Sequence, residues 1–275
     1  MLRLLMTNHP RDQHSLEDLF LHVYVSVDDW LKENELRFAL PKQRSQVAAY
    51  SELFTIAIVG EVMAQPYESV WYWLVKQSYQ ELFPKLPEYS RYHHVVRNAE
   101  KLWADLALEL SGDVAGNFKI VDAKPLPVAK GKRAEWARCL EASKGFSTMG
   151  MVYGFKLHAL VNERGLFESW SFAPAHHHEA ALMPELAEGI SGDIIGDKAY
   201  LGCGIITPKR KNMAEQGRWS KTLNRLRKRI ETSFNVLVSP LTLHAAQVKT
   251  FKSLRARVNL KMAVHNLVHS GALFG

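Results

Sequence analysis

The stretch Val152-Tyr153-Gly154-Phe155-Lys156-Leu157-His158-Ala159-Leu160-Val161 decides how this chain is read. Tyr153, Phe155, Leu157, Ala159 and Val161 alternate with Gly154, Lys156 and His158. Successive side chains of a strand point to opposite faces, so this period of two predicts a half-buried β-strand. Asn162-Glu163-Arg164-Gly165 follows as a turn, and Leu166–Ala173 returns as a second strand. Upstream, the short apolar run Asn117–Ala123 reads as another strand. Downstream come a helix over Glu179–Ala187, then short strands over Asp193–Asp197 and Gly204–Thr207. A basic helix over Arg218–Val238 and a last helix over Thr250–Ser270 complete the pattern. The order β-β-β-α-β-β-α predicts an α/β fold. Its mixed sheet has three antiparallel strands plus two parallel ones, flanked by helices.

The residues before this region read as helices. In Ser15–Leu36, Leu16, Leu19, Phe20, Val23, Val27, Trp30 and Leu31 form a stripe of helical period, and Ser15 with Asp18 fits an N-terminal cap. Further helices are predicted over Ser51–Ala64, Glu68–Leu82 and Ser90–Leu110, punctuated by Pro84, Pro87 and Gly112. Trp71, Trp73 and Trp103 are expected in their core. Two regions result: an all-α N-terminal region over 1–112 and a sheet domain with basic C-terminal helices over 113–275.

Composition limits the alternatives. Among 275 residues, 47% are hydrophobic and 23% charged, which excludes collagen-like, disordered and disulfide-scaffold classes. No apolar run approaches the roughly 20 residues of a membrane span; Phe54–Gly60 is cut off by Glu61. Met1–Gln13 has no long apolar segment of the secretory kind, and Cys139 and Cys203 are the only cysteines. A cytoplasmic protein with no membrane partner is expected. The net charge of +7 is uneven: residues 1–110 carry −4, residues 111–204 carry −1, and residues 205–275 carry +12 from 14 Lys and Arg against 2 Asp and Glu. A cationic quarter of this kind attracts phosphate polyanions.

Three acids occupy telling positions. Asp122 and Asp197 end predicted strands, and Glu231 lies in the basic helix four residues after Arg227, on the same face. Each alone is commonly a turn former, a cap or a surface ion-pair partner. Strand ends converge at one sheet edge, however, where a helix carboxylate can join them. Such hard oxygen donors suit Mg²⁺ or Mn²⁺, and two such ions can serve phosphodiester chemistry. Lys124, Lys156, His158 and Lys198 stand close to these acids in sequence and are candidate DNA contacts, with plain exposure as the alternative for His158. His176-His177-His178-Glu179 lacks the staggered spacing of a zinc motif and reads as a polar loop. Trp219 is weighed between base stacking and packing.

Five stretches taken together resemble one family. They are Ile120-Val121-Asp122, Tyr153-Gly154-Phe155-Lys156-Leu157-His158, Gly196-Asp197-Lys198-Ala199-Tyr200, Thr207-Pro208-Lys209-Arg210-Lys211-Asn212 and Arg229-Ile230-Glu231-Thr232. In this order they resemble the DDE transposases of bacterial insertion sequences, within the RNase H-like superfamily that includes retroviral integrases. The likeness is greatest to the insertion sequence 982 group. The 34-residue spacing from Asp197 to Glu231 is similar to that of integrase-like members. The resemblance implies an RNase H-like catalytic domain that cleaves and transfers DNA strands. Asp122, Asp197 and Glu231 would be catalytic and would hold two Mg²⁺ or Mn²⁺ ions. The partners implied are the element's terminal inverted repeats, target DNA and a second copy of the chain, with residues 1–112 for DNA-end binding or dimerisation. Related enzymes carry a Tyr, Arg, Glu, Lys signature around the last acid. Arg227 and Glu231 fit it, but Asn224 and Val238 stand at the Tyr and Lys positions. That leaves phosphate contact to Arg225, Lys228 or Arg229, beside Lys209, Arg210 and Lys211. A nuclease without strand transfer and a non-catalytic DNA-binding relic are the alternatives.

Overall fold

The computed structural model describes residues 15–38, 40, 47–112, 116–129, 139, 141–147, 150–208, 220–243 and 250–272. The first part is helical: α1 (Leu16–Glu33), α2 (Glu35–Phe38), α3 (Tyr50–Val62), α4 (Glu68–Ser78), α5 (Tyr89–Asn98) and α6 (Glu100–Ser111). Ser15 and Asp18 form a reciprocal capping box at the start of α1. Helix α3 is buried nearly all round rather than on one stripe, which makes it the centre of the bundle. Trp71 and Trp103 are core residues as expected. Trp73 is not: it is 43% exposed, with the Lys76 ammonium over its ring. The single helix expected over Ser90–Leu110 is two, broken at Ala99, which ends α5 and begins α6. The Trp103 indole N–H donates to the Val96 carbonyl at 3.0 Å beside the break. That bond spares a buried carbonyl the cost of having no partner.

The sheet follows: β1 (Phe118–Ala129), β2 (Ser143–Ser147), β3 (Gly150–Asn162), β4 (Phe167–Pro174) and β5 (Asp193–Ile195). Helix α7 (Met183–Ala187) lies between β4 and β5, and α8 (Lys221–Val238) and α9 (Phe251–Ser270) come last. Strand β3 is the spine. It pairs antiparallel with β1 along one edge, and with β2 and β4 in succession along the other. Strand β5 adds to β1 in parallel, over Phe118–Ile120 only. This is the mixed, helix-flanked sheet of the expected α/β class, with one parallel strand pair, behind an all-α N-terminal region.

Local differences have physical causes. The expected strand Gly204–Thr207 reduces to one parallel bridge, Ile195 to Ile206. Strand β1 runs six residues beyond Ala123, through Pro125 and Pro127. Proline is tolerated there because, among the described residues, the outer edge of β1 has no partner strand past Ile120. Strand β2 was not foreseen, since Ser143-Lys144-Gly145-Phe146-Ser147 has no alternating apolar pattern.

One hydrophobic core runs through both the helices and the sheet. Helix α9 joins them with polar bonds as well as packing. The Asn266 amide donates to the carbonyls of Ala107 in α6 and Phe167 in β4, and its oxygen accepts from the Phe167 N–H. Asn259 likewise links the Glu100 carbonyl to the Trp170 indole. A buried ion pair ties Lys261 of α9 to Glu61 of α3. Among the described residues no helix is long and apolar enough to cross a membrane.

Candidate active site

Where β5 stops following β1, the sheet opens, and Asp122 stands two residues past the last paired position. Its Oδ1 accepts from the Ala123 N–H at 2.8 Å. Beyond β5, Gly196 brings the chain against Val121; a Cβ at 196 would press on the side chains of Val121, Tyr200 and Ile205. This close approach carries Asp197 up beside Asp122. Asp197 then caps a short 3₁₀ turn, its Oδ1 accepting from the Ala199 N–H at 2.8 Å. Glu231 arrives from α8, which is seated by Ile230, Phe234 and Leu237 and by the Ser233 hydroxyl donating to the Gly165 carbonyl at 2.7 Å.

All three acids line one cleft of about 510 Å³, together with Ala123, Lys124, Pro125, Phe146, Lys156, Glu179, Phe234 and Asn235. Burial pushes the Asp122 carboxyl up to about 6, and the charges of Asp197 and Glu179 add to this. The Ala123 N–H and Arg227 act in the opposite direction. Burial and the charges of Glu179, Asp122 and Asp197 push the Tyr200 phenol well above its ordinary range. The cleft thus concentrates negative charge that a cation would relieve. Its donors are carboxylate oxygens, the type that suits Mg²⁺ or Mn²⁺. Among the described residues, no three His, Cys, Asp or Glu side chains are gathered tightly enough to hold an ion as they stand. The Glu231 carboxylate is instead engaged by Arg227 at 3.2 Å.

The basic residues divide into three sets. Lys124 and Lys156 line the cleft, Lys156 bonding the His177 carbonyl at 3.1 Å and Glu179 at 3.4 Å. Lys198, Arg225, Lys228 and Arg229 are exposed, and Arg227 is half-buried against Glu231. Lys209, Arg210, Lys211 and Trp219 lie outside the described residues. His158 requires a correction. It is fully buried, neither ring nitrogen has a hydrogen-bond partner among the described residues, and burial pushes its pKa down to about 4. The face of β3 expected to be open is covered at this position, so His158 cannot meet a phosphate in this conformation.

Glu179 is the cleft residue that sequence reasoning missed. Its place after three histidines drew attention to zinc, and nothing in the local pattern pairs it with Lys156. The histidines serve the loop: His176 bonds the Ser143 hydroxyl at 2.8 Å, and His178 accepts from the Ala180 N–H. Asn235 also reaches the cleft, one turn after Glu231, a position that helical spacing could have supplied.

A rim of carboxylates at an open sheet edge, beside a cationic helix, suits a phosphate polyanion and a divalent cation. Residues 112–247 match the family model of the transposase DDE domain, a span that contains Asp122, Asp197 and Glu231. The match supports a DDE transposase, a class that acts on DNA and uses divalent metal ions. No curated protein and no solved structure matches the chain.

Proposed function

We propose that the chain is the transposase of a bacterial insertion sequence, cutting DNA strands and joining them to target DNA by metal-dependent phosphoryl transfer. One observation carries this reading: acids far apart in sequence line a single cleft at the open edge of β1, within the span that matches the DDE domain. Asp122 and Asp197 would hold Mg²⁺ or Mn²⁺, two ions in all, with Glu231 completing the set. When bound, the metal supplies Lewis-acid polarisation and charge neutralisation at the phosphodiester. Lys124 and Lys156 would hold phosphates within the cleft. Lys198, Arg225, Arg227, Lys228 and Arg229, with Lys209, Arg210 and Lys211, would hold the flanking DNA. No Ser or Tyr nucleophile enters the reaction.

In this reading the substrates are the terminal inverted repeats and target DNA, and a homodimer works on paired ends. Residues 1–112 form the dimerising or end-binding region and residues 113–275 the catalytic domain. The five sequence stretches favour the insertion sequence 982 group, and bacterial DNA places the work in the cytoplasm. The test uses DNA flanking the coding region as donor and a plasmid as target, with Mg²⁺ or Mn²⁺. Wild type is expected to cleave and join; Asp122→Ala is expected to fall to background in both. Equal activity in the two proteins overturns the reading, and cleavage without joining leaves a nuclease.

A further inference from the structure

Phe146 is 80% exposed although it lies in a paired strand and lines the cleft of carboxylates. Met151, directly opposite it across β2 and β3, is 64% exposed. The register puts both on the sheet face that carries Asp122 and Lys124, because Met151, Leu157 and Ala159 alternate in step along β3. Lys144, two residues earlier on the same face of β2, is exposed as well. The strand beneath this face is firmly held. Gly145 is buried, and a Cβ there would collide with the Ala175 carbonyl. The Ser143 hydroxyl is bonded by the His176 backbone N–H and ring. A seated strand therefore presents an aromatic ring and a thioether to solvent, with a cation beside them, at the end of the cleft away from Asp122.

We propose that Phe146, backed by Met151 and flanked by Lys144, is a stacking platform for an unpaired base of the DNA strand lying in the cleft. Lysines along the cleft hold phosphates and an aromatic face holds a base, the combination that grips single strands without reading sequence. The occupant follows from continuity with the cleft. A strand whose phosphates lie against Lys124, on the same face, runs on towards β2, where the ring waits. The proposal rests on the DNA-transposase reading and deepens it, naming where the enzyme holds a base out of its stack.

The test compares a flush-ended duplex with the same duplex carrying a single-stranded 3′ extension, without divalent metal. The fluorescent base 2-aminopurine is scanned through the extension. Phe146→Ala is expected to weaken the extended probe about 5- to 150-fold and to leave the flush duplex unchanged. It should also abolish the 2-aminopurine quenching seen at one or two positions, and Phe146→Trp should restore both. Thermal melting checks that the variants fold. Equal loss on both probes, or unchanged quenching, overturns the platform while leaving DNA binding intact. A variant that loses self-association but keeps its preference for the extended probe overturns it in favour of a contact between copies. A wild type that binds neither probe overturns the DNA reading, and the platform with it.

Discussion

His158 is the least comfortable side chain in the sheet. A buried imidazole with two unpartnered nitrogens resists protonation, and the nearby charges of Lys156 and His177 reinforce this. The unfolded chain takes up a proton near pH 6.5, whereas the folded one holds out to about pH 4. Stability tied to this group is therefore complete above pH 6.5 and drains away as pH falls towards 4. The loss reaches about 3 kcal/mol at most. Asp122 has the opposite sign: with its pKa raised to about 6, its ionised form costs stability as pH rises from 3.8 through 6. Replacing His158 with Leu is expected to flatten the acid side of the profile. It should leave neutral stability equal or higher, since no ring nitrogen remains unsatisfied. Buried His265, pushed down to about 3, keeps part of the slope in the variant. Urea unfolding between neutral pH and pH 4 reads this directly; an unchanged slope would show that His158 is not the group responsible.

Helix α9 depends on a few polar joints to neighbours far away in sequence. The Lys261 ammonium is pushed below the usual lysine range by burial, and Glu61 pulls it back. Removing one partner strands a charge, so Lys261→Ala should cost about 3–5 kcal/mol. Pairing Lys261→Met with Glu61→Leu should recover most of that, because two apolar groups of similar volume need no partner. Denaturant unfolding of the two singles and the double checks this; a double no better than the worse single would refute it. The same elements show what can be read from the chain. Strands β3 and β4 were legible, as each buries one face and alternates accordingly. Capping by Ser15 was legible because it is wholly local. The break at Ala99 was not, since no Gly or Pro marks it and the apolar stripe runs across it. Strand β2 was not, because an edge strand held by Gly145 and an exposed Phe146 carries no pattern. Asp122, Asp197 and Glu231 were singled out by position, and the cleft contains all three. Glu179 joins them by a contact with Lys156, which sequence spacing does not encode, and the covering over His158 is equally a matter of tertiary packing.

Over the whole molecule, charge is segregated: the helical residues 1–110 carry −4 and residues 205–275 carry +12. If the exposed Arg225, Lys228 and Arg229 of α8 meet phosphates, changing all three to Gln should lower the slope of log affinity against log salt by about 3. Folding should be untouched, as none of the three is buried. Titrating duplex at several salt concentrations decides it, and an identical slope would remove α8 from the DNA surface. The place of α9 has a different kind of consequence. It is the last described helix to leave the ribosome, yet it carries the bonds that fasten α6 to β4 and α3 to the rest. A chain lacking Phe251–Ser270 would lose these bonds, and α6 and β4 would meet through their own packing alone. Such a shortened chain is expected to be less stable and more open to proteolysis than the full one.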